Sequence, residues 1–265
     1  MMDAGPLLAR SATSVADLAD PMRNYYADLK VFGSLDGAPT YITVFSRVSC
    51  LIPGRPPIDL YATGNVYVFR IDRPDPAQLR SPNEHAFRVN SRETGFILDP
   101  HTFEPLEGLE NPVTGEWQET AGSIFEDQWI YTPTGGYSAL RPDYFYEERK
   151  DAVLRPRPHY VLGDDLVMLK EAIFHDEGPH QPRGNTLLWR ARLAEVLDPR
   201  RPAVEASYDW HGTAFAWERA WLGFPTGDPA RLVIHAMGKK VLSLDQGAPA
   251  LVRLVRTYFP ERLEV

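Results

Sequence analysis

"TLLWRARLAEVLD", residues 186–198, decides the fold class. Leu187, Trp189, Ala191 and Leu193 fall on alternate positions, with Arg190 and Arg192 between them. A period of two belongs to a strand with one buried face and one wet face. The same signal recurs on both sides of this stretch. "TYITVFSRVSCLI" (40–52) and "IDLYATGNVYVFRID" (58–72) are rich in β-branched and aromatic residues, and "PGRPP" separates them. "AFRVNSRETGFILDP" (86–100) predicts a strand pair or one long, bent strand. "HYVLGDDLVMLKEAIF", from 159, predicts two strands turning at Gly163–Asp164–Asp165. "AVEASYDWHGTAFAWERAWLGF" (203–224) predicts two strands around His211–Gly212, and "ARLVIHAMGKKVLSL" (230–244) another with a turn at Gly238. "YYADLKVFGSL" (25–35) also reads as β-like. "DPHT" (99–102) and "NPVTGE" (111–116) are turn sequences.

The segment 117–150 is aromatic and irregular, and Pro133, Gly135–Gly136 and Pro142 interrupt it. It predicts long loops over a barrel mouth. The tail holds the one clear helix: Leu251, Leu254, Val255 and Tyr258 share a face, and Pro260 ends it. Many strands leave edges that closure removes. The expected fold is therefore mainly β: a single-domain antiparallel β-barrel, lipocalin-like, over residues 23–265. Long aromatic loops and a C-terminal helix complete it, and residues 1–22 form a flexible leader.

Composition narrows the function classes. Hydrophobic residues make up 43% and charged residues 24%, which is a globular balance. The formal net charge of −8 and the lack of a Lys/Arg-rich run argue against nucleic-acid binding. Cys50 is the single cysteine, so an internal disulfide and a multi-thiolate zinc site are excluded. It reads as a small buried hydrophobe on a strand. The N-terminus lacks the basic and apolar regions of a secretory signal, and no run approaches membrane-span length, so the expected location is cytoplasmic, with no membrane partner. Phosphate-cradling, dinucleotide, nucleophile-elbow and HExxH motifs are missing, and no cofactor is implied.

Candidate chemistry comes from a few stretches. In "WERAW" (217–221), read as a strand, Trp217, Arg219 and Trp221 share one face. That face is either a packed ladder or one wall of an aromatic slot with a charged handle. Asp209, Trp210 and His211 lie just upstream, and Tyr131 and Tyr146 stand ready to close the mouth. His235 sits mid-strand on the side of Val233 and Met237. It is either a hydrogen-bonded core histidine or a proton shuttle facing a cavity. Arg92 and Glu93 are adjacent, so only one of them faces inward. His175 and His180, in "FHDEGPH", read as a polar loop rather than a metal site.

"SRETGFILDPHTFEPL", "NPVTGEW", "GDD" (163–165) and "WERAWLGFPTGDPARLVIHAMGKK" together resemble a bacterial family catalogued as a domain of unknown function, number eighteen thirty-eight. Arg92, Glu93, Gly95, Asp99, Pro100, Asn111, Pro112, Thr114, Gly115 and Glu116 match its middle motifs, and Trp217, Arg219 and Trp221 match more loosely. The resemblance covers roughly residues 25–260. It implies one domain and brings no activity with it.

Three readings compete. The first is a cofactor-independent enzyme of lyase, isomerase or hydratase type, acting on a small apolar, aromatic or polycyclic molecule. His235 or His211 is then the base, Arg92 and Arg219 hold an anionic oxygen, and Glu93 or Asp209 orients or shares the proton. Trp210, Trp217, Trp221, Tyr131 and Tyr146 line the slot. The second is a lipocalin-like carrier or sensor without chemistry. The third is a protein-interaction module that buries a partner chain or a second subunit, a homodimer, with no enclosed cavity.

Overall fold

A computed structural model describes residues 2–120, 122–140, 144–146, 154–174 and 183–263. The chain opens with a short helix, α1 (Gly5–Leu8), a 3-10 turn at Ala16–Ala19 and a longer helix, α2 (Pro21–Phe32). Strands β1 (Thr40–Leu51), β2 (Ile58–Asp72) and β3 (Phe87–Leu98) follow. A small hairpin, β4 (Gly108–Glu110) and β5 (Trp117–Glu119), precedes β6 (Ser123–Thr132), β7 (Gly135–Ser138) and β8 (Tyr144–Tyr146). Then come β9 (His159–Leu162), β10 (Asp165–Phe174), β11 (Arg183–Arg192) and a helical turn, α3 (Leu193–Val196). The last elements are β12 (Ala206–Phe215), β13 (Arg231–Val241) and the helix α4 (Pro249–Tyr258).

The large sheet runs β11-β12-β13-β1-β2-β3-β6-β7-β8-β10-β9, and β10 also pairs with β11. The order therefore returns on itself as an antiparallel barrel, with β4–β5 as a separate ribbon. The fold is mainly β and consistent with a lipocalin-like barrel. Leu187, Trp189 and Ala191 do face the interior, as their alternation predicts. The turns at 99–102 and 111–116 form as expected: Asp99 and Asn111 each accept two backbone N–H bonds from residues just ahead. Cys50 is fully buried, and burial pushes its thiol pKa up.

Four local expectations are corrected. The aromatic segment after 117 is not a set of loops: β5 is half of the ribbon, and from Ser123 the described part is wall, with β6 and β7 paired across the turn that Pro133 and Gly135 create. β12 runs unbroken through His211–Gly212. β13 runs unbroken through Gly238, where a Cβ would meet the Thr43 carbonyl at 2.5 Å, so this glycine marks close approach by β1 rather than a turn. "WERAW" is not a strand. It forms two 3-10 turns, Ala216–Glu218 and Ala220–Leu222, joined at Arg219.

The largest correction is at 25–35. Residues 21–32 are helix, with Pro21 in the first turn and the Asp20 carboxylate accepting from the Met22 and Arg23 amides. Every residue from Asn24 to Phe32 is buried. A helix buried on all sides has no polar face, so it lacks the 3.6 period that announces a helix. Residues ahead of it pack as well: Leu7, Ala12 and Leu18 are buried. α2 plugs one end of the barrel within a cluster that includes Ile42, Phe69, Tyr131 and Trp189. A second cluster, around Val48, Tyr61, Leu222 and Phe224, fills the other end. The predicted C-terminal helix α4 lies outside, with Leu251 and Val255 against Val66, Phe45 and Phe96. Gly64 leaves room for a Leu251 methyl that would stand 2.3 Å from any Cβ there.

Two buried lysines tie the plug in place. Lys240 Nζ donates to the carbonyls of Lys30 and Gly33, at 2.9 and 2.7 Å, and so satisfies the end of α2. Lys30 Nζ donates to the carbonyls of Val196 and Asp198 at 2.6 and 2.8 Å. Burial brings the Lys30 pKa down to about 8 and that of Lys240 well below the ordinary lysine value. The folded chain then binds fewer protons at Lys30 than the unfolded chain between pH 8 and the free value of 10.5. Stability rises with pH across that window. Urea midpoints at pH 7.5 and 9.5 are expected to climb less in Lys30→Met than in the wild type. Equal slopes would contradict the assignment.

Candidate functional site

Between the two core clusters lies a cavity of about 610 Å³, within the range of small-molecule sites. Its wall is aromatic, with Trp129, Trp189, Trp210 and Trp221 among the lining residues. Among the described residues, three side chains that carry formal charge reach it: Glu93, Lys170 and Arg219.

Glu93 is the inward member of the Arg92–Glu93 pair. Its carboxylate accepts a hydrogen bond from Asn65 Nδ2 at 2.5 Å, and the hydroxyls of Tyr67 and Ser123 stand close enough to pull its pKa down. Thr63 Oγ1 donates to Asn65 Oδ1 at 2.8 Å, which turns the amide N–H toward Glu93. Gly95 makes this convergence possible. It is the direct partner of Asn65 on β2 and of Ser123 on β6. A Cβ on Gly95 would meet Ser123 Oγ at 2.2 Å and Asn65 Nδ2 at 2.7 Å. Burial raises the Glu93 pKa above the usual carboxylate value, against the opposing pull of these donors and of the Arg219 charge.

Arg219 stands at the exposed end of the cavity. It is held through its neighbours: the Leu222 amide donates to the Arg219 carbonyl at 2.8 Å, and Asn111 Nδ2 donates to the Leu222 carbonyl at 2.6 Å. Asn111, from "NPVTGE", thus links the β4–β5 ribbon to the segment that carries Arg219 and Trp221. Tyr61 packs 5.2 Å from Trp221, and burial pushes its hydroxyl pKa up to about 12. At the plugged end, Lys170 Nζ lies 3.0 Å from Asp28 on α2 and over the rings of Phe32 and Tyr131.

The cavity gathers five of the residues singled out in the sequence: Glu93, Arg219, Trp210, Trp221 and Tyr131. The others stand elsewhere. His211 and His235 are cross-strand partners on the outer face, stacked with ring centroids 4.2 Å apart, and both are exposed. Their strands place Trp210, Ile234 and Ala236 inward, so neighbours of opposite parity face solvent. Asp209 shares that outward parity. Arg92 points out as well, 3.5 Å from Glu126. Trp217 packs against the second core cluster and stacks on Phe215, behind the cavity wall. His175, His180 and the side chain of Tyr146 lie outside the described residues. Asn65, Tyr67, Ser123 and Lys170 escaped the sequence reading. The Gly95 of "ETG" was the available signal for Asn65 and Ser123, because a glycine within a strand marks room made for its neighbours.

Among the described residues no three His, Cys, Asp or Glu side chains are grouped to hold a metal, and no helix is long and apolar enough to cross a membrane. No protein-family model, curated protein or solved structure matches the chain.

Proposed function

We propose that the barrel binds a small, flat, largely apolar molecule and moves a proton on it, with Glu93 as the acid–base group. The observation that carries this reading is the placement of Glu93. Among the described cavity-lining residues it is the one carboxylate, it is raised in pKa by burial, and the Asn65 amide fixes its position beside the Tyr67 and Ser123 hydroxyls. A carboxyl group so tuned keeps a usable proton closer to neutral pH than a solvated one does. The aromatic walls supply the flat enclosure, and lyase, isomerase or hydratase chemistry turns on a proton transfer that a carboxyl group can make. With the histidines on the outer face, the proton-transfer role passes to Glu93 alone. A carrier uses the same cavity and differs only in leaving its ligand unchanged.

The test is made in D₂O. A panel of aromatic and polycyclic ketones, phenols and acids is screened by tryptophan quenching, and each binder is followed by mass spectrometry. At least one binder is expected to gain deuterium or change mass with the wild type. Glu93→Gln is expected to slow that step by roughly 10²–10⁴-fold while still quenching. Binders recovered unlabelled and unchanged from the wild type would establish the carrier instead.

A further inference from the structure

We infer that the cavity's ligand is an organic anion, an aromatic or polycyclic acid whose charged group sits on Arg219 while its rings lie against Trp210 and Trp221. This rests on the reading of the barrel as a small-molecule site and names the class of molecule it takes. Each charged group of the lining contributes to the argument. The Lys170 ammonium is matched at 3.0 Å by Asp28, so its charge is answered within the protein. Glu93 is hydrogen-bonded by the neutral amide of Asn65, with the neutral hydroxyls of Tyr67 and Ser123 beside it. Arg219 forms no ion pair within 4.0 Å among the described residues. Arg219 lines the same cavity as Glu93 and Tyr61, and its charge reaches both.

The position of Arg219 is also built rather than incidental. It is the joint between two 3-10 turns, its amide bonds to the Ala216 carbonyl at 3.1 Å, and Asn111 fixes the turn that follows. A guanidinium presents a planar fork of donors that matches a carboxylate or sulfonate in two bonds at once. On a chain of net charge −8, one cation at the entrance selects for anions that the rest of the surface repels.

Two probes share the same rings and differ by one charged group: 1-anilinonaphthalene-8-sulfonate and the neutral N-phenyl-1-naphthylamine. Both are titrated by fluorescence into the full-length wild type, Arg219→Gln and Arg219→Lys. The wild type is expected to bind the sulfonate about tenfold more tightly than the amine, the size of one charge-assisted contact. Arg219→Gln is expected to abolish that ratio, and Arg219→Lys to keep part of it. The ratio is the readout, so a general loss of affinity in a variant does not imitate the result. A ratio near one in the wild type, or an unchanged ratio in Arg219→Gln, overturns the anion assignment while leaving an apolar site intact. Failure of both probes to bind the wild type overturns the small-molecule reading and this inference with it.

Discussion

Asp28→Asn is expected to lower the unfolding free energy by about 3–5 kcal/mol, the cost of removing one partner from a buried ion pair. The Asp28 carboxylate is 1% exposed and lies 3.0 Å from Lys170 Nζ and 3.2 Å from Arg157 Nε. Those side chains are 3% and 6% exposed, so water does not screen the cluster. Asparagine keeps the shape and removes the charge, which leaves two cations close together in a poorly polarisable end of the barrel. Arg157 is also committed elsewhere, since its Nη2 donates to the Thr132 carbonyl at 2.9 Å. It cannot turn away without breaking that bond. The loss corresponds to a fall in Tm of roughly 10 °C for a chain of this size. Urea denaturation at pH 7 measures it. A midpoint equal to that of the wild type would show that the carboxylate's charge does not hold the plug.

Trp189→Ala is expected to cost about 3–5 kcal/mol, as for other large aromatic residues removed from a core. Trp189 is 1% exposed and is the largest fully buried side chain among the described residues. Its indole packs edge-on to Phe32 at 5.5 Å and tilts against Tyr208 at 4.7 Å. It therefore joins β11 and β12 to the plug helix, and alanine would leave a void continuous with the ligand cavity. Calorimetry and urea unfolding read the same loss. A cost under about 1 kcal/mol would mean that Phe32 and Tyr208 collapse into the gap, because the penalty tracks the cavity that remains.

The sequence spoke clearly where water touched one face of an element. β11 alternates apolar and arginine residues because its outer side is wet, and α4 shows its stripe because it lies on the surface. α2 was silent for the opposite reason: burial on every side erased its contrast. The two faces of β13 were equally mute. Val233 and Met237 are exposed while Ile234 and Ala236 are buried, so both sides are apolar and His235 could not be assigned an interior or exterior place by pattern. Within the site, adjacency showed that only one of Arg92 and Glu93 faces inward, and Gly95 held the clue to which. The Asp28–Lys170–Arg157 cluster was beyond reach, since its members stand 13 and 129 residues apart and meet only through closure of the barrel.

The lysine tie between α2 and β13 also sets a schedule. Lys240 closes a contact 210 residues distant in the chain. During synthesis, at ribosomal rates, the helix waits roughly 10–40 s for the strand that fastens it. Throughout that interval Tyr25, Leu29 and Phe32 have no barrel to enter. The plug is made first and locked last, so the nascent chain's exposure to misassociation is fixed by the order of its segments, whatever the stability of the finished protein.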